Sequence, residues 1–209
     1  MAINGQVGNP TNLSDQEGSS VLSFEELGHG QANNYLPGGN KGKFLISKYT
    51  PSNVSSLSIQ SGFDLCSVMQ ISFIGMIPAV DGDPLYIQFY ENGVLEDAAV
   101  YNFGLSLTVS DGADTSNANT SQTHIPVFPV GPGNSPLEMG MSEMMLFMAN
   151  KSDRQTSCYF NSTSLSSGGN TRDYLIIGEL PQASKVDGIK IFFSSGNITS
   201  GIVKVYGYE

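Results

Sequence analysis

Phe192-Phe-Ser-Ser-Gly-Asn-Ile-Thr-Ser-Gly-Ile-Val-Lys-Val-Tyr-Gly-Tyr-Glu209 sets two short apolar runs on either side of a Ser/Gly/Asn turn. In the first run, Ile189, Ile191 and Phe193 recur at every second position. In the second, Val203 and Val205 repeat that spacing, with Ile202, Lys204 and Tyr206 opposite them. Side chains two residues apart share one face of a strand, so each run reads as a strand with one buried face. The SSGNITSG between them reads as a hairpin connection longer than the minimal two-residue turn.

The same period recurs upstream. Leu57 and Ile59 fall on one side of an extended segment, Met69, Ile71 and Phe73 alternate with Val68, Gln70 and Ser72, and Leu85, Ile87 and Phe89 alternate with Tyr86, Gln88 and Tyr90. AAVYNFGLSLTVS adds a broken strand-like signal, and RDYLIIGEL another. LEMGMSEMMLFMANK has the Met and Leu content of a short helix, but its turn-rich flanks favour a strand that groups Met145, Phe147 and Ala149. Asp111–Gln122, DGADTSNANTSQ, reads as a polar loop, and the three prolines of HIPVFPVGPGNSP discourage an uninterrupted central strand. Seven to nine strands, each with an apolar face to bury, predict an all-β fold, a two-layer antiparallel β-sandwich. Periodicity leaves a jelly roll and an immunoglobulin-like sandwich both open.

Residues 1–42 lack a sustained period of either kind. SSVLSFEELGHG has the makings of a short helix, and GHGQANNYLPGGNKG interrupts it, so this stretch is predicted to be an extended N-terminal arm. Such an arm has too little apolar area of its own to offset its ordering entropy, and gains stability only against a partner surface. Residues 43–209 then form the sandwich domain.

Composition agrees with the period. The 209 residues include 24 Gly and 10 Pro, with nine Lys plus Arg and nineteen Asp plus Glu, a turn-rich balance that long solvent-facing helices do not show. The formal net charge of −10, with no basic block, supplies few counter-charges for phosphate, so direct nucleic-acid binding is not expected. No leader-like segment and no apolar run near ~20 residues is present, so no membrane span is expected.

The chemistry-bearing residues are sparse. Cys66 and Cys158 sit in apolar runs and are read as two separate core thiols. His29 and His124 lack a local ligand pattern, so no metal or cofactor is expected, and pairing Cys158 with His124 would need geometry that residue types alone do not give. Asp81 with Asp83, and Asp111 with Asp114, are carboxylates on turns without the twelve-residue calcium-loop pattern, and are read as Asx-type turn formers. The Gly-rich LPGGNKGK and SSGGNTRD lack the P-loop order and are read as turns.

Two stretches resemble a known family. SSLSIQSGFDLCSVMQISFIGMIPAVDGDPLYIQFYENGV, with Ile74-Gly-Met-Ile-Pro-Ala79 followed by an Asp/Gly turn and Leu85-Tyr-Ile-Gln-Phe89, and the closing Ile189-Lys-Ile-Phe-Phe193, Gly196-Asn197, Ser200-Gly201 and Val205-Tyr206-Gly207, are similar to tailed-bacteriophage virion proteins with jelly-roll domains. The resemblance spans about residues 50–209 and does not extend to the arm. It implies the jelly-roll topology and a non-enzymatic virion component. The role it implies is a capsid decoration or cement protein on the outer capsid surface, assembled in the host cytoplasm. Its expected partner is the major capsid protein, and a homotrimer is the expected assembly. The arm would add contacts across subunit junctions. The alternative is a tail-associated receptor- or carbohydrate-binding module, using a surface of Tyr86, Tyr90 and Asp111.

Overall fold

A computed structural model of the chain describes residues 42–166 and 168–208. The expected arm of residues 1–42 therefore lies, but for its last residue, outside the described residues, as does His29. Among the described residues thirteen strands form: β1 (Lys43–Tyr49), β2 (Leu57–Ile59), β3 (Val68–Pro78), β4 (Leu85–Glu91), β5 (Val94–Leu95), β6 (Tyr101–Val109), β7 (Asp114–Gln122), β8 (Ile125–Phe128), β9 (Gly140–Phe147), β10 (Gln155–Leu165), β11 (Thr171–Ala183), β12 (Val186–Phe193) and β13 (Ile198–Tyr208).

They make two sheets. One has eight strands in the order β1-β13-β3-β9-β10-β11-β6-β7, and the other has the order β2-β12-β4-β5 with β8 also pairing β4. Alternation explains the layering. Met69, Ile71 and Phe73 on β3, Leu85, Ile87 and Phe89 on β4, Ile189, Ile191 and Phe193 on β12, and Val203 and Val205 on β13 are all buried in one hydrophobic cluster drawn from both sheets. Removing each such side chain from water is worth roughly 1.5–3 kcal/mol, which makes the shared core the main force holding one sheet on the other. The fold is all-β and sandwich-like, as the period-two pattern implied.

The pairing is nested. Early strands pair with late ones in reverse order: β1 and β3 with β13, β2 and β4 with β12, and β6 with β11.

Phe192–Glu209 departs from the expected hairpin. β12 lies between β2 and β4 in one sheet, whereas β13 lies between β1 and β3 in the other, so SSGN is a corner joining two layers. A hairpin would need the two runs to pair with each other. Here each buries its apolar face from opposite sides of the core, and Gly196 (φ +70°) makes the turn between them. The β3–β4 connection crosses between the sheets at the same place, where the Ala79 amide donates to Asn197 O at 2.9 Å and the Ser194 amide to Pro84 O at 2.9 Å.

Three other details differ from the sequence reading. Residues 114–122 are a strand, not a loop: β7 pairs with β6 from Asp114 to Gln122, and its side chains are almost all exposed because backbone bonding at a sheet edge requires no apolar face. β9 is a strand as favoured, but Met144 and Leu146 face the core, while Met145 and Phe147 point outward. Ala149 is buried, yet it follows the end of β9 and so does not fix the strand's phase. Within AAVYNFGLSLTVS, Tyr101–Val109 forms an unbroken β6. Pro126 lies within the short β8 and Pro129 directly follows it, and among the described strands β8 pairs with β4.

Candidate functional surfaces

Reactive groups come first. Cys66 and Cys158 are separately buried thiols, as expected. Burial pushes the Cys158 thiol far up, the opposite of what a thiolate nucleophile needs. His124 lies instead on the outer face of the five-stranded sheet, its Nδ1 hydrogen-bonded to Thr123 Oγ1 at 2.9 Å, and burial lowers its pKa so that the imidazole is neutral at pH 7. No group of three or more His, Cys, Asp or Glu with metal-holding geometry occurs among the described residues.

The turn carboxylates have structural partners. Asp83 is buried and accepts hydrogen bonds from the Ser194 hydroxyl and from the Ser195 amide, the latter at 2.9 Å. It therefore serves a hydroxyl and an amide of a remote corner instead of its own turn. Asp111 behaves as an Asx turn: Oδ1 accepts from the Ala113 amide at 3.1 Å and Oδ2 from Asn170 Nδ2 at 3.2 Å.

The outer face of the five-stranded sheet collects aromatic and polar groups. Tyr86 and Tyr90 project from β4 opposite the inward Leu85, Ile87 and Phe89. The Tyr86 and His124 ring centroids are 3.8 Å apart, and Phe192 lies 5.9 Å from Tyr86. Lys190 Nζ stands 5.0 Å over the Phe192 ring, a cation–π contact. Tyr90 Oη is 2.9 Å from Ser58 Oγ. Burial, then the Asp83 charge, raises the Tyr86 phenol and keeps it a neutral hydrogen-bonding group. Tyr86 and Tyr90 are thus brought to one sheet face, whereas Asp111 sits in the β6–β7 turn of the other sheet. His124, Lys190 and Phe192 complete this surface. From the sequence His124 is weighed only as a metal ligand or a base, and Lys190 and Phe192 are not singled out, although these two alternate with the inward Ile189, Ile191 and Phe193.

The outer face of the eight-stranded sheet is apolar at its centre. Strand register places Met145, Tyr159 and Ile177 in one row across β9, β10 and β11, with Phe147 in the next row and Leu175 in the row on the other side. The Phe147 and Tyr159 rings stack with centroids 6.2 Å apart. Ile177 is 63% exposed, Leu175 55% and Tyr159 41%. The legible signal was YLII, which is apolar at both parities, as a strand covered on both faces is.

A third cluster sits beside the β4–β5 turn. Gln182 Nε2 on β11 donates to Glu91 and, at 3.2 Å, to Glu96, so one side-chain amide bridges two carboxylates and both sheets. Burial, followed by the neighbouring Glu96 carboxyl, pushes Glu91 up to about 7. Glu96 moves down: burial opposes this, but the Ala98 amide and the bonds to Glu91 and Gln182 outweigh it.

No helix among the described residues is long and apolar enough to cross a membrane. No family model matches the chain, and no curated protein sequence matches it. Solved structures match only distantly. A legume lectin-like domain from Entamoeba histolytica is 10% identical, covers 81% of this chain and 91% of its own, and has a TM-score of 0.23. Toad ovary galectin in complex with thio-digalactose is 10% identical, with 66% of this chain and 98% of that chain covered and a TM-score of 0.22. A Bacteroides ovatus protein of unknown function is 9% identical over 56% of this chain, which spans only 43% of that protein, with a TM-score of 0.20. Superpositions this weak carry no argument about fold or function.

Proposed function

We propose that the protein is a non-enzymatic structural component of a tailed-phage virion, attached to the outer capsid surface as a decoration or cement protein, with a jelly-roll topology. One observation supports this reading above the others. The two stretches that resemble the phage family, far apart in the sequence, are neighbours in space: β3 pairs with β13, β4 pairs with β12, and both sheet-crossing corners are bonded to each other. A resemblance split between distant stretches is coherent when the stretches form one structural unit. The nested strand pairing is also the pattern that a long hairpin rolled into a jelly roll produces.

On this reading the partner is the major capsid protein, and attachment sums several weak contacts without any reaction centre. A homotrimer is proposed as the assembly, and light scattering of the purified chain measures it directly. The deciding experiment labels virions of the phage that encodes the chain with a gold-tagged antibody. A regular distribution over the shell is expected, and label confined to tail tips, or none on virions, overturns the reading.

A second reading, a tail-associated receptor- or carbohydrate-binding module, is favoured by the Tyr86, His124, Phe192 and Lys190 surface, because aromatic faces beside polar groups suit sugar rings. Binding on a glycan array that is lost in Tyr86→Ala would support it. A blank array would count against it.

A further inference from the structure

We infer that the outer face of the eight-stranded sheet, across β9, β10 and β11, docks an apolar surface of another protein that is edged with Lys or Arg. The inference goes beyond the virion reading and stands without it.

The apolar centre is built into the register. Tyr159 has Met145 as its partner on β9 and Ile177 on β11, and Ile177 has Gly104 as its partner on β6. A Cβ at Gly104 would meet only Asn117 O, at 3.9 Å, so the position next to Ile177 is an open notch. On the other side of Ile177, Phe147, Tyr159, Leu175 and Ile177 line a shallow depression across β9, β10 and β11. Single exposed apolar residues are ordinary, but a contiguous group with an aromatic stack at its centre and a polar edge marks a protein interaction surface.

The edge is acidic. Glu143 lies one row from Tyr159 and accepts from Gln70 and, at 2.9 Å, from Ser72. Asp173 accepts from Thr163 at 2.7 Å, and Glu179 from Asn102 at 2.9 Å. These donors are neutral: they orient the carboxylates without adding a cation. A second copy of the chain set face to face would bring like charges together, which disfavours that pairing. A partner with an apolar strip between basic residues answers both the centre and the edge.

The test uses the full chain and three synthetic twelve-residue peptides that share an alternating Leu/Phe strip flanked by lysines, glutamates or serines. The lysine-flanked peptide should bind about tenfold more tightly than the glutamate-flanked one at low salt, with the gap closing at high salt. Leu175→Ser with Ile177→Ser should abolish binding. Glu143→Gln with Asp173→Asn and Glu179→Gln should erase the lysine preference alone. If the serine pair disturbs folding, Gly104→Val fills the notch without touching the core and should weaken binding likewise. A photo-crosslinking residue at position 159 should capture the lysine-flanked peptide. Equal binding of the three peptides overturns the inference, as does binding that the patch variants leave unchanged. Crosslinks from position 159 to a second copy, or to residues 1–41 of the same chain, assign the surface to that occupant and overturn it equally.

Discussion

Asp83 and Ser194, 111 residues apart in the chain, are hydrogen-bonded where two connections cross between the sheets. Asp83 leads into β4 and Ser194 leaves β12, so the bond ties the corner opening the early strands to the corner closing the late ones. The Ser195 amide, at 2.9 Å from the second carboxylate oxygen, makes the attachment two-pronged.

Asp83→Ala should lower stability by about 2–4 kcal/mol, the loss of two bonds to a charged acceptor together with a hydroxyl and an amide left unserved. Asp83→Asn should cost less, since its amide oxygen still accepts one of the two. Chemical denaturation of the three proteins measures this, and equal midpoints would show that the corner stands without the carboxylate.

Gly131 tests the other side of the same corner. A Cβ at this position would lie 1.7 Å from Asp83 O and 2.3 Å from Asp83 C, both backbone atoms that cannot swing aside. Gly131→Ala should therefore cost about 3 kcal/mol and lower Tm by roughly 6–12 °C. Gly112, where nothing lies within 4 Å, gives the contrast: its positive φ of +88° makes the strain of Gly112→Ala local to the turn.

Met144 and Met145 should respond unequally to truncation. Met144 is fully buried on the inward face of β9, and Met145 points the other way. Met144→Ala is expected to cost about 2–5 kcal/mol and Met145→Ala below about 1 kcal/mol. Thermal melts of the two variants check the assignment, and equal losses would reverse the phase given to the strand.

That pair also shows where sequence reading stopped. Met69, Ile71, Phe73 and Leu85, Ile87, Phe89 were legible because polar or aromatic-hydroxyl residues occupy the alternate positions, so only one phase buries apolar area. EMMLFM is apolar at both parities, and the choice between faces is made by which side meets the core. β7 was illegible for the converse reason: an edge strand of Ser, Thr and Asn is held by backbone bonds, which leave no mark on side-chain type. The terminal runs read correctly as strands, but the partner of each depends on residues far away in sequence. Of the surfaces, Tyr86 and Tyr90 were visible from alternation along β4, whereas His124 joins them only because β8 pairs with β4.

Stability should decline as pH rises through neutrality, and Glu91 should account for part of it. Its folded-state pKa of about 7 exceeds the ~4.3 of an unfolded glutamate, so the native state holds the proton more tightly. The resulting stabilisation is complete below about pH 4 and is lost as pH passes 7. The groups nearby are acidic too: Glu96 shares Gln182 with it, and the Asp187 carboxylate accepts from the Gly93 amide at the adjoining turn. Glu91→Gln, which mimics the protonated form, should flatten the fall in Tm between pH 5 and pH 8. An unchanged slope would place the titration elsewhere.

The nested pairing also governs the order in which the molecule can assemble. β3 gains its β13 neighbour, and β4 its β12 neighbour, only after the long run of chain between them has been synthesised. Such non-local closure slows folding, because loop entropy is lost before the ladder forms. During translation the early strands wait with unpaired edges and apolar faces, a state in which chaperones and aggregation compete for them. The local pairs β4–β5, β6–β7, β9–β10 and β10–β11 can form without the C-terminal strands, but the two sheets are completed only when β12 and β13 insert between their early partners.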